Sequence, residues 1–288
     1  MQKQVLPTSL KVSALLLSVL GKPFPGLAAS LFLRLYSTPP KRKFRSTHME
    51  VKNEAKVGEM QLSIYPFRGD QIRLATYSWG QSDKKVLLLH GWGGSPLDFK
   101  HMITALVSSG YEVISFDAPA HGFSAGKRTN LIQWMHVMHQ VLQQAGPVHA
   151  IIGHSLGGLN AALTLVRQEV TVPRLVMISA AVSAPSFFKE TYDLFRIPPV
   201  VVEKVEQQIL KQLHQDLKEL DLFLYPQQIK AEKILVVYDE NDTVAKPEEI
   251  NMFLQQYSSI SALRINGDGH FRIMKDKVVI EKVLDFLN

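Results

Sequence analysis

The chain has no cysteine in 288 residues, which excludes disulfides, thiol nucleophiles and thiolate metal sites. It also lacks an apolar run of membrane-spanning length. The longest such stretch, Leu10 to Leu20, is broken by Gly21-Lys22-Pro23-Phe24-Pro25-Gly26 well short of the roughly 20 residues a bilayer requires. No internal repeat or low-complexity tract is visible, and the one loop that could suggest a phosphate cradle, His90-Gly91-Trp92-Gly93-Gly94, is not followed by Lys-Ser or Lys-Thr. With 46% hydrophobic and 20% charged residues, what remains is a globular balance long enough for one large domain. The absence of cysteine suits a cytoplasmic protein, with export or membrane association through the N-terminal apolar segment as the alternative.

Four short apolar runs end abruptly in loops rich in polar residues and glycine. The first, Ala150-Ile151-Ile152, stops at Gly153-His154-Ser155-Leu156-Gly157-Gly158 and reads as a strand, a sharp turn and a helix start, with Ser155 at the tip. A reversal that tight brings backbone segments so close that side chains at positions 153 and 157 would collide, which pushes the serine outward. Its hydroxyl then lies beside the unpaired N–H groups of the helix start, where a developing oxyanion is favoured. Upstream, Val86-Leu87-Leu88-Leu89 empties into His90–Gly94, and Val113-Ile114-Ser115-Phe116 into Asp117-Ala118-Pro119-Ala120-His121-Gly122-Phe123-Ser124. Downstream, Ile234-Leu235-Val236-Val237-Tyr238 is followed by Asp239-Glu240-Asn241-Asp242-Thr243-Val244. A fifth, alternating strand, Ala262–Ile265, runs into Asn266-Gly267-Asp268-Gly269-His270-Phe271.

Taken together, these segments over residues 60 to 288 resemble the α/β-hydrolase family, serine esterases in particular: G-x-S-x-G, an HG-type loop, D-x-P-G-H-G-x-S with Ala120 at a usual glycine, and a final G-x-G-H. The resemblance implies an α/β-hydrolase fold, a mostly parallel central sheet flanked by helices with a small helical cap. It also implies a triad in the order Ser155, Asp242, His270, with Ser155 as nucleophile, His270 as general base and Asp242 as acid. The backbone amides of Trp92 and Leu156 would form the oxyanion hole, with the Trp92 ring lining an acyl pocket. Two carboxylates follow the fourth run. The pattern G-x-x-D-x-V aligns Tyr238 with its glycine and Asp242 with its acid, leaving Asp239 as a loop or capping carboxylate. Asp117 and His121 read as structural ties of loop backbone, and His154 as packing or hydrogen bonding beside the turn. His136, His139, His149 and His154 have no carboxylate at ligand spacing, so no metal is expected. Nor is any cofactor.

Helical windows at about 96–109, 129–145, 156–168, 247–257 and 276–287 alternate with the strands. The fifty residues after Leu175–Ser179 do not, and they contain Phe187, Phe188, Tyr192 and Phe195, then an amphipathic run through Val205, Ile209, Leu213, Leu217 and Leu220. They read as a cap at about 183–225 within a hydrolase domain of 59–288. Residues 1–58 read as an N-terminal amphipathic segment with a basic, solvated linker, Lys41-Arg42-Lys43-Phe44-Arg45, that supplies much of the net charge of +6. The expected activity is cleavage of a small-molecule carboxylic ester, with an apolar acyl group, through an acyl-enzyme. The alternatives are a thioesterase, lysophospholipase or perhydrolase on the same triad, or a noncatalytic ligand-binding scaffold. Nucleic-acid binding is not expected, since no stacking platform accompanies the basic cluster. Peripheral membrane contact through the N-terminal segment is a possible partner interaction.

Overall fold

The computed structural model describes residues 8–63, 71–225, 227–257 and 259–288, without the side chains of residues 8–13 and 16. Its centre is one eight-stranded sheet of β1 (Lys56–Ser63), β2 (Gln71–Trp79), β3 (Lys85–Leu89), β4 (Glu112–Phe116), β5 (Ala150–His154), β6 (Val172–Ile178), β7 (Ala231–Asp239) and β8 (Ser261–Ile265). The spatial order is β1-β2-β4-β3-β5-β6-β7-β8. Only the β1–β2 and β2–β4 pairings are antiparallel. The helices are α1 (Thr8–Gly21), α2 (Pro25–Tyr36), α3 (Ser46–Asn53), α4 (Lys100–Ser108), α5 (Leu131–Ala145), α6 (Leu156–Arg167), α7 (Ala184–Phe195), α8 (Pro199–Leu213), α9 (Pro247–Gln255), α10 (Gly269–Arg272) and α11 (Lys277–Leu287).

The central strands are short unbroken apolar runs because helices cover both faces of a parallel sheet, leaving no solvent side to demand alternation. Every residue of β5 is buried. Burying each such Ile, Leu or Val contributes about 1.5–3 kcal/mol, and the strands alone supply more than a dozen of them. Parallel neighbours cannot be joined by a tight turn, so α4, α5, α6 and α9 serve as crossovers between successive strands.

The chain leaves β3 for β4 on one side and comes back to place β5 on the other. Loops at the carboxyl ends of β3 and β5 therefore diverge around a crevice, the place where open α/β sheets bind ligands. The register sets Leu89 against Gly153, so the glycine-rich loop after β3 and the turn bearing Ser155 begin side by side.

Contacts divide the chain into two compact units, residues 1–38 with 183–221 and residues 39–182 with 222–288. This differs from a boundary at 58/59 and a cap ending at 225. In the first unit α2 packs on α8, and α1 on both α2 and α7. Its core includes a ring cluster of Phe32, Tyr36, Phe188 and Tyr192, with Tyr36 and Phe188 4.2 Å apart. In the second unit Val51 of α3 is buried in the main core, and the Trp79 indole N–H donates to its carbonyl at 2.8 Å.

The basic cluster also differs from a solvated linker. Arg42 is largely buried and forks onto the carboxylate of Asp98, with Nη1 at 2.7 Å from Oδ2, while Lys41, Lys43 and Arg45 are exposed. No helix among the described residues is long and apolar enough to cross a membrane.

Candidate active site

The turn after β5 has the geometry its glycines demand. Ser155 adopts φ +55°, ψ −125°, a left-handed conformation that costs a residue with a side chain on the order of 1–3 kcal/mol. A Cβ on Gly153 would meet Gly157 O and Gly158 N at 2.6 Å, and one on Gly157 would meet Leu89 O at 2.4 Å and His90 O at 2.6 Å. These are backbone atoms that cannot swing aside. Helix α6 begins at Leu156, so its first N–H groups have no partner within the helix. The first to be satisfied are those of Gly158 and Leu159, which donate to Ser155 O at 3.0 and 3.3 Å.

Three side chains from the ends of three strands meet here. Ser155 Oγ lies 2.9 Å from His270 Nε2, and His270 Nδ1 lies 2.9 Å from Asp242 Oδ2 and 3.1 Å from Oδ1. A carboxylate can only accept, so Nδ1 carries the proton and Nε2 is left to accept from the serine hydroxyl. Burial raises the Asp242 pKa, but the His270 hydrogen bond and charge and the N–H groups of Val244 and Ala245 outweigh it, so the carboxyl stays below its usual range. Both backbone donors reach Oδ1, at 2.8 and 2.9 Å.

Asp239 does different work. Its Oδ1 accepts from Asn241 N–H at 2.7 Å and its Oδ2 from Asp268 N–H at 2.8 Å, tying the loop after β7 to the loop that presents His270. Burial acts to raise its pKa, but hydrogen bonds from the backbone of Asn241, Asp268, Gly269 and Gly267 hold it below the ordinary value. Gly267 and Gly269, at φ +108° and +61°, give that loop its curvature.

On the opposite side, the loop after β3 is held by two imidazoles used reciprocally. His90 Nε2 accepts from Ala118 N–H at 2.9 Å while its Nδ1–H donates to Gly91 O at 2.7 Å. His121 Nε2 accepts from Gly93 N–H at 2.9 Å while its Nδ1–H donates to Pro119 O at 3.0 Å. Each loop thus contributes a histidine that holds the backbone of the other. Both rings must be neutral to accept, and burial pushes them down to about 4 for His90 and about 3 for His121. Asp117 anchors the second loop, accepting from Ser95 Oγ at 2.8 Å, Tyr77 Oη at 2.7 Å and Phe123 N–H at 2.9 Å. Ala120 takes φ +63°, so the chain bears left-handed strain where a glycine would carry none. Arg42 Nη1 adds a hydrogen bond to Gly93 O at 3.3 Å, a support that reading residues 41–45 as a linker misses.

Gly91 sits so close to the turn that a Cβ there would be 2.8 Å from Ser155 Cβ, which puts the backbone of residue 91 beside the serine. The Trp92 ring packs edge-on to His121 at 5.2 Å and near-parallel to Trp134 at 6.2 Å. His154 is buried, its Nε2–H donating to His270 O at 2.7 Å, and its pKa is pushed down to about 4 by burial and the neighbouring imidazole. His136 and His149 lie apart from this cluster, His136 Nε2 at 3.2 Å from Ser63 Oγ and His149 Nε2 at 2.8 Å from Leu287 O.

An eight-stranded, mostly parallel sheet with a serine on a strained strand-to-helix turn defines the α/β-hydrolase class. A sequence model of the alpha/beta hydrolase family matches residues 86–272, and the chain belongs to that family. Among curated relatives, a pimeloyl-[acyl-carrier protein] methyl ester esterase of Klebsiella pneumoniae is 32% identical over 130 residues, 45% of this chain and 48% of that protein. A 2-hydroxy-6-oxononadienedioate/2-hydroxy-6-oxononatrienedioate hydrolase of Escherichia coli is 28% identical over 150 residues, 46% of this chain and 51% of that one. The chain thus spans about half the length of the curated relatives it matches. Among solved structures, a Pyrococcus furiosus esterase superposes with TM-score 0.64 at 21% identity, covering 87% of this chain and 98% of the other. A Butyrivibrio proteoclasticus protein with bound ferulic acid gives 0.60 at 19%, covering 79% and 97%. At such identities these likenesses speak to the fold.

Proposed function

We propose that the protein is a serine hydrolase that cleaves a small carboxylic ester through an acyl-enzyme. Ser155 Oγ attacks the ester carbonyl as His270 Nε2 takes its proton, and Asp242 holds the imidazole in the acceptor tautomer and stabilises the imidazolium. The negative charge that develops on the carbonyl oxygen is met by the N–H groups of Trp92 and Leu156. Each such donor contributes about 3 kcal/mol to the transition state. The C–O bond breaks as His270 returns the proton to the departing alcohol. Water, deprotonated by the same imidazole, then attacks the acyl carbonyl and releases Ser155 with a carboxylic acid.

The observation that carries this reading is the unbroken hydrogen-bonded series from Ser155 Oγ through His270 to Asp242, with both links at 2.9 Å. An apolar acyl group is supported by Phe271, 65% exposed and with its ring 4.9 Å from that of His270. The methyl ester esterase name of one curated relative agrees with an ester bond as the target.

The test is Ser155→Ala assayed on a short-chain aryl ester. Turnover falls by about four orders of magnitude with the fold intact, and a fluorophosphonate probe that modifies the parent at Ser155 alone leaves the variant unlabelled. An unchanged rate overturns the proposal.

A further inference from the structure

We infer that the α1–α2 hairpin is a docking surface for a lipid bilayer bearing anionic headgroups. This goes beyond the ester-cleaving reading and does not rest on it. The first observation is charge. Residues 1–49 contain eight of the 32 Lys and Arg and none of the 26 Asp and Glu, so residues 50–288 hold 24 basic against 26 acidic residues. The entire positive excess of the chain therefore lies in this N-terminal stretch. Within the helical unit itself, Lys22 at the turn and Arg34 on α2 are exposed.

The second observation is where apolar side chains meet solvent. On α1, Leu15 and Val19, one turn apart, are 64% and 62% exposed; on α2, Leu27 and Leu35, two turns apart, are 62% and 40% exposed. Phe24, in the turn between the helices beside exposed Lys22 and Pro23, is 59% exposed. Other faces are already used: Leu17 on α1 and Ala29 and Phe32 on α2 are buried. Each helix thus has an inner apolar face that packs and an outer one that does not.

At 14 and 12 residues, separated by Lys22–Phe24, neither helix reaches the length of a bilayer span. Helices that are too short to cross, expose aliphatic and aromatic side chains and are flanked by lysine and arginine lie in the plane of the headgroup boundary. Anionic headgroups complement the charge there, each basic residue contributing about a fivefold gain in partition, while the acyl boundary takes up the aliphatic side chains. A polynucleotide would match the charge and leave Leu15, Val19, Leu27 and Leu35 in water.

The test is sedimentation of the full chain with sucrose-loaded vesicles, either phosphatidylcholine alone or phosphatidylcholine with 30% phosphatidylserine. Binding to the anionic vesicles is at least tenfold tighter and weakens in 0.5 M salt. Leu15→Glu with Leu27→Glu lowers it by on the order of a hundredfold, since burying each side chain is worth roughly tenfold. Lys22→Ala with Arg34→Ala, which disturbs no buried residue, lowers it by about 25-fold and so tests the surface even where the double Glu variant fails to fold. Ser155→Ala binds like the parent, so loss of esterase activity and loss of docking are separable. Equal binding to both vesicle types, no binding by folded protein, or unchanged binding by the Lys22/Arg34 variant overturns the inference. So does sedimentation equilibrium showing that the outer faces are covered by a second copy of the chain.

Discussion

Lowering the pH from 6.5 to 4 removes stability in proportion to three buried imidazoles. His90, His121 and His154 are each no more than 4% exposed, and their pKa values fall to about 4, about 3 and about 4 because burial disfavours the charged ring. The unfolded chain takes up protons at these positions near pH 6.5, while the folded chain refuses them until near pH 4. Since the unfolded state binds more protons in that window, stability is fully present above about 6.5 and declines as the pH falls toward 4. One unit of pKa difference is about 1.4 kcal/mol, so each ring accounts for about 3 kcal/mol across the window. That is a large part of the 5–15 kcal/mol that holds a typical domain together. At pH 5 to 6 the free energy of unfolding should change by about 4 kcal/mol per pH unit, close to three protons. Urea denaturation at a series of pH values measures this slope. His121→Gln keeps an acceptor near Gly93 N–H and removes one titrating ring, so its slope is lower by about 1.4 kcal/mol per unit. A parent slope below one proton, about 1.4 kcal/mol per pH unit, refutes the reasoning. Asp239 and Asp242, whose carboxyls are held below their usual range, add a loss of the same sign at lower pH.

Gly157→Ala puts a methyl group 2.4 Å from Leu89 O, about 1 Å inside the 3.4 Å where ordinary contact begins. It should cost about 1–3 kcal/mol in denaturant unfolding and lower kcat on an aryl ester by about a hundredfold, because the loop after β3 must move off the serine. Asp242→Asn should lower kcat by about 10⁴ with little change in unfolding free energy, whereas Asp239→Ala leaves the N–H groups of Asn241 and Asp268 unmet and lowers stability by about 2–4 kcal/mol. If the two variants exchange those phenotypes, the assignment of roles is wrong. Ala120→Gly, which relieves a left-handed φ of 63°, should raise thermal stability by about 1 kcal/mol.

Much of the site was legible in the chain because its parts are local. The collision that requires glycine at 153 and 157 is set within a few residues of Ser155, and the carboxylate at 242 binds backbone N–H groups two and three residues on. Apolar runs announced β3 to β7 because burial on both faces removes the need for polar residues, while β8, with no fully buried residue, showed only as an alternating segment. The antiparallel strands β1 and β2 were not announced: β1 reads Lys-Val-Gly-Glu-Met-Gln-Leu-Ser, is mostly exposed at the sheet edge and carries no such run.

The sequence by itself determined the turn at Ser155, the parallel core strands and the order of the three polar residues. Tertiary structure alone decided the meeting of Ser155 with His270 across 115 residues, the reciprocal grip of His90 and His121, the burial of Arg42 against Asp98, and the packing of α1 and α2 with α7 and α8 in one helical unit. The difference is one of range. Steric limits and side-chain to backbone bonds act between neighbours and leave a mark in the local pattern, whereas a hydrogen bond between loops depends on strand order and register, which the whole sheet fixes together.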